Sequence, residues 1–253
     1  MQTDETQFKD HFSDLSEGYS RFRPGYSGEI FEYLAALTPK HELAWDCATG
    51  TGQSALSLAN HFDRVVATDA SPQQIEQATR HSSVEYRVAA AEESGLETAS
   101  IDLITVAQAL HWFDIPKFMA EAKQVLKPKG VIAVWTYNLF RVTPEIDGIV
   151  DNLYWNLLDG YWAPERKLVE SGYSDIEMPF QQIEPPEFCM QANWSLERLV
   201  GYLGTWSAIG KYRQMEGEDP LVDTSASLQQ LWGDVSVEKE ISWPLSVRVG
   251  VNT

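Results

Sequence analysis

Cysteine is scarce in this chain of 253 residues. There are two, Cys47 and Cys189, far apart and without the close Cys or His neighbours of a zinc site. Two cysteines cannot build a disulfide framework, and no metal site is expected. Long apolar runs are missing as well. The longest, such as Val131 to Trp135, are far too short to span a bilayer. Positive charge is in short supply: 19 Lys and Arg stand against 37 Asp and Glu, a net charge of −18. The acid excess runs through both halves of the chain and is not gathered in a tail. A body this negative repels phosphate backbones and anionic lipid at long range, so neither nucleic acid nor membrane is expected as a partner. The opening stretch is polar and acidic and shows no charged-then-apolar leader pattern, which gives the expectation of a cytoplasmic protein. Neither an internal repeat nor a low-complexity segment is present.

What is there is enough apolar mass for a core, at 43% hydrophobic residues. Gly28 to Leu37 carries apolar residues at helical spacing and is closed by Pro39. Leu43 to Cys47 reads as a buried strand, followed by a glycine-containing loop and a helix from Gln53 to Asn60. Arg64 to Thr68 is a second strand ending at Asp69. Ser71 is an N-cap candidate and Pro72 fits a first helical position, with the helix running towards Arg80. Val84 to Val88, Asp102 to Ala107 and Val131 to Tyr137 are further strands. A helix from about Ile115 to Leu126 and a Lys127-Pro128-Lys129-Gly130 turn precede the last of them. Strands alternating with helices predict an α/β fold with a mostly parallel, doubly wound sheet, and ligands at the carboxyl ends of its strands. After Tyr137 the pattern loosens into an aromatic-rich stretch. It offers helical spacing from Ile146 to Leu158, a strand over 187–192, a helix over 196–207 behind Ser195, and a closing alternating strand from Glu240 to Val249. The expected organisation is a cap segment over 1–26, a ligand-binding core over 27–140, and cover helices and last strands over 141–253 completing the same sheet.

The loop after the first strand carries the chemistry. Gly50 and Gly52 stand where strand turns into helix, which permits positive φ and close approach of a ligand to the backbone. Gly50-Thr51-Gly52-Gln53-Ser54-Ala55 satisfies the dinucleotide fingerprint, and Asp69 lies nineteen residues beyond Gly50. A carboxylate at the end of the second strand accepts both hydroxyls of a ribose. NAD and S-adenosylmethionine both carry such a ribose, and on these residues the two are close to tied. Three features favour the second. A helix precedes the first strand, Asp46 puts a carboxylate before the glycines, where it serves a cationic ligand or orders the loop, and no G-x-x-x-x-G-K-[ST] run is present for a nucleoside triphosphate.

The chain resembles the class I S-adenosylmethionine-dependent methyltransferases. The residues that carry this are Leu43-Ala-Trp-Asp46-Cys-Ala-Thr-Gly50-Thr-Gly52-Gln, Val65-Val-Ala-Thr-Asp69-Ala-Ser, Ala90-Ala-Glu92-Glu, Ile101 through Asp114, and Leu126-Lys-Pro-Lys-Gly130. With Phe22-Arg23-Pro24-Gly25-Tyr26 and Leu199-Val-Gly-Tyr-Leu-Gly-Thr-Trp206-Ser, it is similar to the type 11 small-molecule branch that contains the yeast-type trans-aconitate methyltransferases. The resemblance implies a seven-stranded, Rossmann-like sheet and S-adenosyl-L-methionine as cofactor. It carries Ala48, Gly50 and Gly52 to the methionine part, Asp69 and Ala70 to the ribose and adenine, Ala91 and Glu92 to the adenine edge, and Gln108 to the methionine moiety. Asp46 joins the set, and Arg23 becomes a candidate partner for the cofactor carboxylate. Ala48 departs from the usual first glycine; its one added methyl is compatible with most negative-φ conformations, so cofactor binding is expected to survive.

The expected partner is a small-molecule acceptor, in a monomer or homodimer. A sulfonium is already an activated methyl donor, so alignment and exclusion of water supply most of the acceleration. A carboxylate acceptor needs no deprotonation, whereas a phenol or alcohol wants a general base. His111 is the candidate base or acceptor orienter. Trp112, Tyr202 and Trp206 are candidate walls of the acceptor pocket, although Trp112 suits the core as well. For a polycarboxylate, Arg21, Lys211 and Arg213 are the candidate cations. An NAD(P)-dependent oxidoreductase and a non-catalytic cofactor-binding protein are the competing readings. The first lacks any Tyr-x-x-x-Lys constellation.

Overall fold

The computed structural model describes residues 25–253. The chain enters through helix α1 (Gly28–Leu37), capped by the Ser27 hydroxyl. It then alternates β1 (Leu43–Cys47), α2 (Gln53–Leu58), β2 (Arg64–Asp69), α3 (Pro72–Gln77), β3 (Val84–Val88), β4 (Ile101–Ala107), α4 (Ile115–Val125) and β5 (Leu126–Tyr137). These five strands pair in parallel in the order β3-β2-β1-β4-β5. Strand β4 is buried from Ile101 to Val106 because both faces of a parallel sheet are covered. Ile30, Phe31 and Leu34 of α1 and Leu58 of α2 pack on Leu103, Val131, Ala133 and Trp135 from one face. Phe118, Met119, Ala122 and Val125 of α4 pack on Ile104, Val106, Ile132 and Val134 from the other.

The remaining elements are α5 (Pro144–Asn152), a π turn (Leu153–Leu157), α6 (Arg166–Glu170), β6 (Gln181–Ile183), β7 (Phe188–Trp194), α7 (Leu196–Gly204), α8 (Ser207–Glu216), α9 (Leu221–Trp232) and β8 (Lys239–Val251). Strand β8 is long enough to do two jobs. Its second half runs antiparallel between β5 and β6, and its first half forms a ladder with β7. The sheet therefore has eight strands, one more than the seven expected. The helices of this half enclose a core of their own, built on Phe140, Tyr154, Trp194, Tyr202, Trp232 and Trp243.

Three local expectations are corrected. The Lys127–Gly130 turn is absorbed into β5 as a bulge: Ile101 pairs with Leu126 while Leu103 pairs with Val131, and Lys129 takes φ +66. The helix expected over 196–207 breaks after Gly204, because Thr205 turns its hydroxyl back onto the Tyr202 carbonyl. The stretch 141–239 is more regular than expected, with α9 unforeseen. No helix among the described residues is long and apolar enough to cross a membrane.

Candidate active site

Strands β1, β2 and β4 are neighbours, so their carboxyl ends deliver Asp46, the 48–52 loop, Asp69 and Gln108 to one edge of the sheet. The Asp69 carboxylate is bound by the loop itself. Gly50 N–H donates to one oxygen at 2.8 Å and Ser71 N–H to the other at 2.9 Å. The glycine loop and the end of β2 are thereby a single unit. Gly52 takes φ +91, and a Cβ there would stand 2.3 Å from the Tyr86 hydroxyl. Gly50, at φ +57, has only Gln74 Oε1 at 3.8 Å from such an atom. Space above the loop is therefore open at Gly50 and closed by a β3 ring at Gly52.

Ala48 does not take a negative φ; it sits at φ +54, in the left-handed region. The added methyl is carried with strain of about 1 kcal/mol. Ala48→Gly is expected to raise stability by about 1 kcal/mol in urea unfolding followed by tryptophan fluorescence. A neutral or destabilising result would mean that the methyl is packed well enough to offset its backbone.

Asp46 is 1% exposed. One carboxylate oxygen accepts from Thr105 Oγ1 at 2.7 Å, and the other from Thr49 Oγ1. Of the two roles open to it, the geometry fits ordering of the loop: Asp46 ties β1 to β4 and to Thr49. Burial pushes its pKa up to about 6; the three hydrogen bonds from Thr49, Thr105 and Ala55 N–H oppose this, and the Asp69 charge adds to it. The sign follows from linkage. The folded pKa lies above that of an unfolded carboxylate, near 4, so the stabilising effect of protonation is full below that value and is lost as pH rises through about 6. Wild type should lose stability relative to Asp46→Asn between those limits in paired unfolding titrations. A gain over that interval would contradict the assignment.

The other expected cofactor residues fall into place less directly. Ala70 follows Asp69, half-buried. Ala91 is buried in the core beneath α4. Glu92 accepts the Asp114 N–H at 2.7 Å, so its carboxylate fixes the entry to α4. Gln108, at φ +56, folds onto the end of β5: Oε1 accepts from Thr136 Oγ1 and Tyr137 N–H, and Nε2 donates to the Tyr137 carbonyl. Arg23 and Arg21 lie outside the described residues.

On the acceptor side, His111 sits in a short 3-10 turn (Leu110–Trp112), buried, with Nδ1 2.9 Å from the Tyr173 hydroxyl. Desolvation, then the nearby Arg166 charge, pull its pKa down to about 3. A group so reluctant to take a proton is a poor general base and a good neutral hydrogen-bond partner. Trp112 is 38% exposed and does not join the core. Tyr202 is a correction: at 3% exposed it packs among Phe140, Trp194 and Trp243 inside the cover's own core. Trp206 stays half-buried against Tyr154 and Trp162. Lys211 and Arg213 are exposed, and Arg213 is paired with Asp219 at 2.9 Å.

Sequence reasoning passed over Arg166. Its Nε donates to Tyr154 Oη and one Nη to Asn138 Oδ1, both at 2.7 Å. The guanidinium lies 5.1 Å from the Trp162 ring centroid and 5.5 Å from that of Tyr154. Asn138 directly follows β5, so this aromatic-cradled cation stands at the same edge of the sheet as Gln108. The clue available in the sequence was the density of Tyr and Trp around a lone arginine.

Residues 45–134 match the family profile described as a methyltransferase domain. A protein of Dictyostelium discoideum that carries a methyltransferase name is 35% identical over 227 residues, covering 88% of this chain and 86% of its own. A methyltransferase of Aspergillus terreus is 26% identical over 148 residues, 52% of this chain and 43% of its own. A solved structure from Anaeromyxobacter dehalogenans, described as a type II methyltransferase, superposes with a TM-score of 0.87 at 43% identity, covering 91% of this chain and 98% of that one.

Proposed function

Because the chain belongs to the methyltransferase family, whose cofactor is S-adenosyl-L-methionine, we propose that it moves a methyl group to a carboxylate or hydroxyl oxygen of a small molecule. The observation that carries this reading is the Gly50–Asp69 unit at the ends of β1 and β2. The residues fit the adenosyl group by their chemistry. Asp69 is a carboxylate held in fixed orientation by two backbone N–H groups, as a partner for ribose hydroxyls requires. The open backbone at Gly50 admits a ligand that a side chain would obstruct. When bound, the cofactor supplies a methyl group already activated by its sulfonium.

The protein's share of the work is alignment and exclusion of water. Asp69 and Ala70 hold the ribose end, Ala91 and Glu92 border the adenine, and the 48–52 loop with Gln108 lines the methionine end. Asp46 keeps that loop in register. His111, Arg166, Trp112 and Trp206 face the acceptor. Arg166 favours an acidic one, such as a trans-aconitate-like polycarboxylate. Its guanidinium is half-buried and makes no ion pair within 4.0 Å among the described residues; the carboxylate of Glu170 reaches it only through the Tyr154 hydroxyl, at 2.9 Å from that oxygen, so the cation keeps donor capacity for an anion. A neutral His111 suits such an acceptor, which needs no base.

The test uses methyl-labelled S-adenosylmethionine with two panels, small di- and tricarboxylates including trans-aconitate, and phenols. The expected product is a base-labile methyl ester on an acid. Label appearing only as a base-stable ether on a phenol would overturn the preference, and transfer to neither panel would leave the acceptor assignment without support.

A further inference from the structure

Tyr173 holds a backbone conformation that few residues with a side chain adopt. It lies at φ +62, immediately after Gly172 at φ +61. A Cβ at Gly172 would stand 2.6 Å from Ser246 Oγ, so the segment is pressed against β8. Arg248 on β8 then clamps it, donating to the carbonyls of both Tyr173 and Ile176. Strain held this firmly, next to a candidate site, points to a task for the side chain.

That side chain is fully buried, and its hydroxyl meets His111 Nδ1 at 2.9 Å. Which partner donates follows from the surroundings. The phenol hydroxyl makes one hydrogen bond among the described residues, to His111 Nδ1, so an Nδ1–H donating to it would leave the phenol proton without an acceptor. Burial keeps the phenol protonated, with its pKa well above the usual value. The Thr136 hydroxyl is the other side-chain neighbour, and it spends its own proton on Gln108 Oε1 at 2.8 Å. Gln108 cannot flip, because Tyr137 N–H donates to that same oxygen while Gln108 Nε2 donates to the Tyr137 carbonyl. Among the described residues, the acceptor at hydrogen-bond distance from the phenol proton is His111 Nδ1. A neutral imidazole whose Nδ1 accepts must carry its proton on Nε2. Nε2 itself has no hydrogen-bond partner among the described residues. The charged group acting on the ring is Arg166 of α6, which opposes a second proton, and the Trp112 ring lies tilted beside it with centroids 4.7 Å apart.

We propose that Tyr173 is a positioning residue that locks His111 in its Nε2–H tautomer, making the imidazole a fixed, neutral hydrogen-bond donor to the methyl acceptor. The identity of what is bound rests on the methyl-transfer reading; the tautomer does not. A donor of this kind orients an acceptor oxygen through one lone pair and leaves another for methylation. It never competes with the acceptor for a proton.

The experiment is nitrogen-15 NMR of the full chain labelled at histidine, with His111→Asn to assign the signal among the five histidines. The expected spectrum places the proton on Nε2 and leaves His111 untitrated from about pH 5 to about pH 8, the window in which an ordinary histidine changes charge. In Tyr173→Phe the lock is gone, so His111 should show a mixture of tautomers, while burial and the Arg166 charge still keep it neutral across that window. An Nδ1–H tautomer in wild type, or wild-type titration near the ordinary value, would overturn the proposal whether or not the variant folds. A Tyr173→Phe spectrum identical to wild type would overturn it too. Titration of the same samples with S-adenosylhomocysteine reports separately on the methyl-transfer reading, and its affinity should be equal in wild type and Tyr173→Phe.

Discussion

Asp69→Ala is expected to weaken S-adenosylmethionine binding about a hundredfold or more. Two effects combine. The first is the loss of a charged acceptor for the ribose hydroxyls; hydrogen bonds to an ionised partner contribute about 1.5–3 kcal/mol each, and about 1.4 kcal/mol is a factor of ten. The second is the release of the loop, since Gly50 N–H at 2.8 Å and Ser71 N–H at 2.9 Å both lose their partner. Asp69→Asn separates them. An amide retains one oxygen for a loop N–H but lacks the charge, so its affinity should fall between wild type and alanine. Calorimetric titration of the three proteins reads this directly. Equal affinity in all three would show that neither the charge of the carboxylate nor its hold on the loop contributes to binding.

Gly52→Ala carries the second large effect, on the fold of the loop itself. A left-handed alanine costs roughly 1–2 kcal/mol, and forced overpacking about 1–3 kcal/mol more. Both apply here, with φ +91 and the Tyr86 hydroxyl 2.3 Å from the new methyl. A loss of about 3 kcal/mol is expected in urea unfolding, together with loss of cofactor binding. Gly50→Ala, at φ +57 and with its nearest neighbour 3.8 Å away, should cost about 1 kcal/mol, the backbone share alone. Adding Tyr86→Ala to Gly52→Ala should recover the steric part and leave the backbone part. A non-additive gain in that double-mutant cycle is the signature of the contact. Equal costs at 50 and 52 would show that the Tyr86 ring moves aside freely.

The parallel half of the sheet was legible because its signals are local. A strand buried on both faces is mostly apolar, as in Val131 to Trp135 of β5, and the helices behind the sheet show by apolar spacing, as in α1, or by a cap, as at Ser71 before α3. Helix α9 had no such signal: Pro220 at its N-cap offers no side-chain bond, and Asp, Thr and Ser interrupt its apolar face. The additional strand was hidden because β6 is only three residues long and exists by pairing with the end of β8, which no local pattern reveals. The same division runs through the site. The glycine loop, Asp69 and His111 lie on strand ends and show in the motif. Arg166 and Tyr173 arrive from the stretch after β5, and only tertiary packing sets them beside Asn138 and His111. Ala48 teaches a related lesson. Residue type favours a negative φ, while the demand of the turn between β1 and α2 imposed φ +54.

The most direct test of the account is parallel calorimetric titration of the purified protein with S-adenosylmethionine, S-adenosylhomocysteine and NADH. Saturable binding of both adenosyl ligands at one site, with no heat from NADH, is the predicted result. Binding of NADH alone, or silence from both adenosyl ligands, would contradict the claim that the Gly50–Asp69 unit holds the cofactor of a methyltransferase.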